Sequence, residues 1–551
     1  YLLFMNKMIK LITGRILPVI FLSVPAITLA QNSPGEIHGS FQIDGQYYIQ
    51  DSTISAPEVA EKYLLNGYGD LVFTKGNFKA GVRYETYQNV LLGYDKRFNG
   101  SGIAHRYAEY DNGELAITVG NFYEQFGSGL ILRSYWEPTL GYDNALDGVR
   151  VKFKPYSGIL IKGVIGKQRY YFKTGEGIVR GVDAEVGIND LIKNWNDKKT
   201  RVTAGFGFVS KYQKDDDNVY ILPENVGAYA GRLDVTRGKV TINAEYAYKY
   251  NDPSSLNNYS YKFGDAALLK ATYSQKGLGI LLAAKRIDNM NFRSERNANL
   301  NDLLINYLPA LTKYHTYSLA SIYPYATQPN GEFGFEAEVN YTIKKGTKLG
   351  GDYGTNIIVN YSGANSLSTE PVAGKDLYKS DWGKFGKDVY YKDFSLEITR
   401  KMSKNLKITL MYINQVYDKD KIQFQGSKQY GTIYDNIIVA DFTFQINEKN
   451  AIRTEWQTLQ SEQDYKSWLA GLIEYSHSPN WFVAISDQYN YGNEKSDHRI
   501  HYFNCFVGYT KDSHRITLGY GRQREGLFCV GGVCRQVPSS NGLTVSISTS
   551  F

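Results

Sequence analysis

The chain has 551 residues, 42% of them hydrophobic, and a formal net charge of +7. Its mean hydropathy of -0.38 and its one long apolar run, near the N-terminus, argue against a bundle of membrane-spanning helices. Three cations lie in that N-terminal segment, so the remainder is nearly neutral at +4. Because no basic tract is interleaved with aromatic residues, we expect no nucleic-acid partner.

Residues 1–30 have the layout of a secretory signal peptide. A basic start precedes the apolar run 16–29, and small residues at 28–30 offer a cleavage site before Gln31. The run is too short for a comfortable membrane-spanning helix. We therefore expect export and a mature domain at 31–551.

Beyond this segment the chain repeats alternating stretches of about ten residues, each followed by a polar turn. In one stretch Ile438, Ala440 and Phe442 share one parity, whereas Val439 and Asp441 hold the other. Successive side chains of a strand point to opposite faces, so the alternation predicts one apolar face and one polar face. Short turns rich in Gly, Asn and Asp are predicted at 75–77, 111–113, 236–239, 275–277, 344–347, 402–405, 447–450, 477–480 and 511–514, with weaker ones near 155–158 and within 189–200.

Longer polar segments alternate with these turns and include 51–63, 89–101, 123–146, 212–225, 251–264, 288–331, 362–389 and 418–433. A soluble β-sandwich of this length would have to split into several domains, and the sequence has no linkers between them. Eleven short turns instead predict an all-β fold, a single transmembrane antiparallel β-barrel of about 24 strands (±2) with short periplasmic turns and longer extracellular loops. The 47 Tyr residues fit the aromatic girdles of such barrels.

The longest of these segments, 288–331, contains an apolar stretch at 300–308 with helical character. We favour an extracellular loop with a local helix there, and the alternative is a lid or an inward-folded constriction. No segment long enough for a globular plug precedes the first strand, which begins near His38. A TonB-dependent transporter is therefore not expected.

The last stretch, 543–551, alternates and ends on Phe551. It resembles the closing strand of bacterial outer-membrane barrels. The resemblance implies that this strand pairs with the first strand and that the barrel-insertion machinery recognises its end.

Residues 120–133, GNFYEQFGSGLILR, are followed by Gly141, Asn144, Gly148 and Arg150. Together they resemble a recurring segment of an uncharacterised family of outer-membrane barrels from the Bacteroidota, in which a glutamine directly after the cleavage site is also typical. The resemblance implies a Gram-negative outer membrane and this architecture. It implies no catalytic or binding residue.

The three cysteines are Cys505, Cys529 and Cys534. We expect a disulfide between Cys529 and Cys534, which flank a glycine-containing hairpin tip, because exported chains keep disulfides. Zinc binding is the weaker interpretation, since no second pair completes four ligands. Cys505 lies in an alternating stretch and is expected to be a small apolar filler.

Charged residues recur at the polar parity of the predicted strands. Facing lipid, the cations would cost about 2–4 kcal/mol each near the bilayer midplane, so we expect all of them to face the barrel interior. The candidate lumen-lining residues are Arg83, Glu85, Arg150, Lys152, Lys154, Asp183, Glu185, Glu336, Glu338, Arg453 and Glu455. Bracing of the wall by cross-strand pairs explains most of them, and unpaired members would bias the passage of ions.

Catalytic and metal-binding patterns are weak. The sequence has no HExxH motif and no G-x-S-x-G elbow. Asp497-His498 with His501 fits a polar rim better than a catalytic pair, and the acidic stretch 215–218 lacks EF-hand spacing and fits a solvated loop. We expect no enzymatic activity, no metal and no cofactor.

The favoured function is a porin-like channel for small hydrophilic solutes, because a wide barrel with a polar wall is predicted. The alternative is a structural or accessory subunit of a larger outer-membrane secretion or assembly complex. Expected partners are outer-membrane lipid, the insertion machinery, and outer-membrane proteins or lipoproteins.

Overall fold

The computed structural model describes residues 35–373, 377–424 and 428–551, so the expected signal peptide, 1–30, lies outside them. Within these residues 24 strands form one sheet, and two short two-stranded hairpins lie apart from it. The strands are β1 (Glu36–Tyr48), β2 (Tyr63–Lys75), β3 (Phe78–Gln88), β4 (Gly100–Asp111), β5 (Leu115–Phe122), β6 (Trp136–Glu137), β7 (Tyr142–Asp143), β8 (Leu146–Phe153), β9 (Ile159–Tyr170), β10 (Lys173–Gly187), β11 (Thr200–Tyr212), β12 (Asn225–Arg237), β13 (Val240–Lys249), β14 (Gly264–Gln275), β15 (Leu278–Asp288), β16 (Gly331–Ile343), β17 (Thr355–Pro371), β18 (Tyr378–Lys401), β19 (Leu406–Asp418), β20 (Thr432–Gln445), β21 (Asn450–Ser461), β22 (Trp468–His477), β23 (Trp481–Tyr489), β24 (Asn504–Lys511), β25 (His514–Gln523), β26 (Gly526–Val530), β27 (Val533–Val537) and β28 (Ser540–Ser550).

The helices of the described chain are short. Two are α-helical, α1 (Ile188–Leu191) and α2 (Lys419–Phe424). The 3-10 turns are Ser52–Ile54, Lys96–Phe98, Pro138–Leu140, Lys193–Trp195, Ser255–Asn257 and Ser496–His498. Among the described residues, none of the helices combines the length and the apolar composition required to cross a membrane.

The first and last strands close the barrel. β1 pairs antiparallel with β2 on one side and with β28 on the other, with Ile43 opposite Ile547. Gly39 and Phe551 exchange two backbone hydrogen bonds of 3.0 and 2.9 Å. Closure pairs both edges that an open sheet would leave exposed. The predicted antiparallel barrel and its count of 24 strands are confirmed.

Side-chain exposure alternates along the strands as the sequence parity predicts. On β3, Val82 and Tyr84 are 36% and 50% exposed on the outside, whereas Arg83 and Glu85 are 4% and 0% exposed on the inside. Large apolar and aromatic side chains cover the outer face of most other strands in the same way. A closed barrel with such an exterior satisfies its backbone internally and suits hydrocarbon, so it spans a membrane.

The eleven predicted short turns are confirmed, and each joins two neighbouring strands at the same rim. Gly76 and Gly238 supply φ values of +57° and +60° in two of them, a conformation that costs glycine least. The longer connections lie at the opposite rim, where β9 and β10 are exceptional in being joined by Tyr171 and Phe172 alone.

The expectation of a loop at 362–389 is wrong. β17 and β18 continue through most of it and remain paired, with Thr369 opposite Ser380. The register shifts three times along the way, which bends the pair. Polar residues and glycines in this stretch look like a turn in sequence, although here they form a hairpin that projects beyond the rim. We call residues 365–371 and 378–386 the external arm.

The external arm covers an outward-facing ion cluster near the rim. Asp288 accepts hydrogen bonds from Lys262 Nζ at 2.8 Å and from the Tyr378 hydroxyl at 2.6 Å. Arg286 pairs with the same carboxylate at 3.2 Å, and its guanidinium lies 4.5 Å from the Trp382 ring. Charges that face hydrocarbon are costly, so the arm shields a part of the outer wall that lipid would otherwise contact.

The cysteine predictions have different outcomes. Cys529 and Cys534 form the expected disulfide, at the tip of the hairpin formed by β26 and β27. Cys505 lies opposite Ile485 and is exposed on the outer face. It is therefore a small residue of the lipid-facing wall rather than a filler in a packed core.

Candidate functional site

Two connections fold back into the barrel and fill much of its interior. Residues 123–145, between β5 and β8, form what we call the short insert, and residues 289–330, between β15 and β16, form the long insert. Their buried side chains, among them Phe126, Ile131 and Leu319, pack in apolar clusters with inward-facing wall residues. The candidate site is the part of the lumen that these inserts leave open.

The favoured sequence interpretation of 288–331, an external loop with a local helix, is wrong. Residues 300–308 form turns and a β-bridge between Arg293 and Leu304 instead of a helix. Ile305 is fully buried inside the barrel. The segment therefore adopts the alternative, an inward-folded constriction, because its apolar side chains find partners inside the wall.

The two inserts hold each other. The Arg133 backbone N–H donates to the Ile305 carbonyl at 2.9 Å, and the Tyr307 N–H donates to the Gly129 carbonyl at the same distance. The Arg133 guanidinium lies 4.0 Å from the centre of the Tyr307 ring. Backbone pairing and a cation–π contact thus join the inserts into one unit.

A buried network of four charges fixes the short insert to the wall. Glu85 accepts from Arg83 Nε at 2.8 Å and from Arg169 Nη2 at 2.6 Å. Asp143, on the insert, pairs with Arg169 at 2.6 Å and also with Arg83. The Tyr123 hydroxyl donates to Asp143 at 3.0 Å. Two cations and two carboxylates balance, as buried ion pairs require.

A second group of charges surrounds Glu124 of the short insert. Lys152, Lys162 and Arg150 lie 3.1, 3.3 and 3.7 Å from its carboxylate oxygens. Burial raises the pKa of Glu124, but Lys162 and Lys152 outweigh burial and hold that pKa below its usual value. Lys154, predicted at the same parity, follows the end of β8 and is exposed in the turn.

Asp183 and Glu185 share one arginine on the inner wall. Arg232 lies 2.6 Å from Asp183 and 3.2 Å from Glu185. Beside them, Glu245 accepts a 2.7 Å hydrogen bond from the backbone N–H of Ser128 on the short insert. The wall charges here thus pair across strands and anchor the insert.

The remaining predicted residues lie on β16 and β21. Glu336 and Glu338 both accept hydrogen bonds from the Asn360 amide, at 3.0 and 3.3 Å. Arg453 pairs with Glu455 and, at 2.8 Å, with Asp441, which also accepts from the Tyr317 hydroxyl of the long insert at 3.3 Å. A selective effect of any of these charges on ion passage stays a prediction.

Among the described residues, two of the cavities lie on either side of residues 308–311 of the long insert. The outer cavity has a volume of about 870 Å³, and the inner cavity has a volume of about 560 Å³. Among the polar groups of the outer cavity, side-chain amides are the most numerous, for example those of Asn291, Asn301, Asn306, Gln328, Asn330 and Gln423. Charged side chains are the most numerous polar groups of the inner cavity, namely Glu185, Arg232, Asp234, Lys270, Glu245 and Glu336. Both are polar enough to hold water.

A buried lysine holds the segment between the cavities. Lys285 Nζ donates to the Pro309 carbonyl and forms a 2.6 Å ion pair with Glu332. The second oxygen of Glu332 accepts from the Tyr325 hydroxyl at 2.5 Å. Both partners of the ion pair are buried. These contacts therefore fix the long insert to the barrel wall at the point where the insert divides the lumen.

The disulfide-bonded hairpin covers this point from the outer side. The Tyr307 hydroxyl donates to the Gly531 carbonyl at 2.6 Å. Gly532 adopts a φ of +88°, and a Cβ there would come within 3.0 Å of Ala310. Glycine is thus required twice over at Gly532, by its backbone conformation and by close packing.

A model of one protein family matches residues 5–551. The chain belongs to the family of unknown function DUF6029. No curated protein sequence matches this DUF6029 chain.

Several solved structures resemble the DUF6029 barrel. The siderophore receptor PirA from Pseudomonas aeruginosa is 10% identical, with a TM-score of 0.41 over 95% of this chain and 81% of that one. The translocation pore of the P pilus usher PapC is 8% identical, with a TM-score of 0.45 over 93% and 99%. OccAB3 from Acinetobacter baumannii is 9% identical, with a TM-score of 0.35 over 94% and 99%.

Two residues that hold the inserts of this DUF6029 protein are not among the predicted lumen-lining residues, and the sequence carries a signal for only one of them. Lys285 lies at the inward parity of β15, so alternation alone marks it as a lumen candidate. Arg169 lies at the end of β9, where the pairing with β10 shifts register between Thr174 and Ile178. Strand parity fails at such a shift, and no other signal in the sequence places the Arg169 side chain.

The weaker candidates of the DUF6029 sequence lie at the outer rim. His501 Nδ1 is 2.6 Å from Asp487, and its ring stacks on Tyr489. His498 lies 3.9 Å from Asp497, and both side chains are exposed. Across the described residues, no group of three or more His, Cys, Asp or Glu side chains is arranged to hold a metal.

The acidic stretch 215–218 caps its own loop. Asp217 accepts hydrogen bonds from the backbone N–H groups of Tyr220 and Val219, at 2.8 and 2.7 Å. These two bonds lower the pKa of Asp217. The carboxylate is therefore engaged by backbone amides.

Proposed function

We propose that this DUF6029 barrel is an outer-membrane channel for small hydrophilic solutes, and that residues 308–311 of the long insert close it. The pair of polar cavities inside one barrel, one on each side of this segment, carries the proposal. A solute path needs polar walls and room for water. Both cavities offer these, and a four-residue stretch of chain lies between them. Displacing that stretch would join the cavities.

Lys285 is the residue best placed to control this displacement, since it binds the Pro309 carbonyl. Replacing Lys285 alone would leave Glu332 buried without a cation, so the variant of choice is Lys285→Met with Glu332→Gln. We expect roughly tenfold higher open probability, which corresponds to weakening the closed state by about 1.4 kcal/mol. Single-channel recording in planar bilayers measures it.

The control is Lys239→Met, which makes the same change at an exposed periplasmic turn, where Lys239 contacts Gln275 at 2.9 Å. This variant should conduct like the wild type. If neither wild type nor the double variant conducts ions or admits sugars in liposome swelling, the channel proposal is wrong.

The outer membrane as location, a Bacteroidota source and recognition of Phe551 by the insertion machinery are parts of the same proposal. The signal-peptide pattern of 1–30 and the closing strand support them. We further propose that the protein is not an enzyme, because the sequence offers neither a nucleophile elbow nor a metal-binding motif.

A second candidate is a structural or accessory subunit of an outer-membrane complex. The observation that favours it is the packed interior, since apolar clusters of the inserts occupy space that an open pore would need. On the outside, Trp382 and Phe385 of the external arm remain exposed and offer docking surface. Co-purification of a stoichiometric membrane protein in mild detergent, lost in Phe385→Ala while the unfolding midpoint of the barrel is unchanged, would favour this role over the channel.

A further inference from the structure

The outer cavity offers a ligand little charge, although charged side chains are frequent elsewhere in the lumen. Its charged lining residues are Arg293, Asp388 and Lys421. Arg293 is buried, and its guanidinium donates to the backbone carbonyls of Leu300 and Asp302, at 2.5 and 2.6 Å. The chain itself therefore engages this cation, and Asp388 and Lys421 contribute one charge of each sign. Such a lining favours an uncharged ligand over an ion.

Several amides of this cavity keep a polar atom that the chain does not use. Among the described residues, Gln328 Oε1, Asn301 Oδ1 and Gln423 Oε1 accept no hydrogen bond, whereas the amide nitrogens of these residues donate to the chain at 2.9, 2.6 and 2.9 Å. Asn291 is the reverse case, because its Oδ1 accepts from Arg293 Nε at 3.0 Å and its Nδ2 donates to no described atom. All four unused atoms remain accessible to solvent. The chain thus orients each amide and leaves three acceptors and one donor for a ligand.

These groups match the chemistry of a hydroxyl, which both donates and accepts a hydrogen bond. A ligand with several hydroxyl groups would use the amide acceptors and the donor together. Leu304, Leu308 and Ile422 line the same cavity and suit the C–H faces of a sugar ring. The cavity volume of about 870 Å³ lies within the range of about 300–1,000 Å³ that is usual for small-molecule sites.

We propose that the outer cavity is a binding site for neutral saccharides. The sugar hydroxyls bind the side-chain amides of Asn291, Asn301, Gln328 and Gln423. A charged sugar would lose the hydration of its charge on entry without gaining a free counter-charge, and the charged termini of a peptide fit less well for the same reason. The inference names the solute class of the proposed channel. It rests on that function for transport, but not for binding.

The test uses the full barrel purified in detergent, and its probes are a panel of neutral di- and trisaccharides that differ in linkage. Isothermal titration should show saturable binding of at least one panel member to one site per barrel. Gln328→Met with Gln423→Met removes two acceptors and should lower the affinity roughly tenfold or more, as the loss of two uncharged hydrogen bonds implies. Each single replacement should cause a part of this loss, and the unfolding midpoint is measured to show that the variants remain folded.

The matched control is Gln523→Met, which makes the same change at an exposed glutamine of the outer rim, outside the cavity. It should bind the saccharide like the wild type. The proposal is overturned if no neutral saccharide of the panel binds, if zwitterionic dipeptides bind more tightly, or if Gln523→Met loses as much affinity as the double variant. Conductance is recorded separately. Binding without conductance would contradict only the channel, and conductance without binding would contradict only the saccharide site.

Discussion

At the scale of single residues, burial decides how much a charge pair contributes to the free energy of unfolding. Arg169 compensates Glu85 and Asp143 where all three side chains are buried. Arg169→Ala would leave this network one cation short, and we expect the free energy of unfolding to fall by about 3–5 kcal/mol. Urea titration of the barrel refolded in lipid vesicles measures the loss.

Arg97 provides the matched comparison. It also bridges two carboxylates, Asp95 at 2.6 Å and Asp302 at 2.9 Å, but its side chain is 43% exposed. Solvent screens such a pair, so Arg97→Ala should cost less than about 1 kcal/mol. Equal losses from Arg97→Ala and Arg169→Ala would contradict the role assigned to burial.

At the scale of elements, the external arm explains how charged side chains are tolerated on the outer face of a membrane barrel. Replacing Tyr378, Ser380 and Trp382 by alanine removes the side chains that cover Arg286. Because Arg286 lies near the rim and not at the bilayer midplane, exposure of this cation should destabilise the barrel by up to about 1 kcal/mol, measured as above in vesicles.

A background without these charges tests whether the loss of stability comes from uncovering Arg286. In a background where Arg286, its two carboxylate partners and Lys262 are all leucine, the same three alanines should cost little, because no charge of the cluster remains to be covered. A loss of the same size in that background would mean that the arm stabilises the barrel through apolar packing alone.

At the scale of the whole molecule, the strands of the barrel wall could be predicted from the sequence, whereas the inward path of the two inserts could not. Strand alternation, as at Ile438 and Asp441, follows from a period of two and needs no knowledge of neighbours. The inserts carry apolar residues such as Ile305 without a period, so their inward path depends on partners far away in sequence. The row of Asp393, Gln415 and Asp435 likewise emerges only from the register of adjacent strands.

The effect of Phe551 on the stability of the folded barrel can be tested separately from its effect on membrane insertion. β28 pairs with β1 from Ser550 opposite Ser40 to Gly542 opposite Tyr48, and none of these pairs needs the Phe551 ring, which is largely exposed. Phe551→Ser should therefore leave the unfolding midpoint of the purified barrel unchanged. In cells the same variant should lower the amount of inserted barrel several-fold, because we expect the insertion machinery to read the terminal aromatic residue. Phe551→Tyr keeps an aromatic ring and should insert normally. Equal losses of stability and insertion in Phe551→Ser would show that the residue acts through the fold alone.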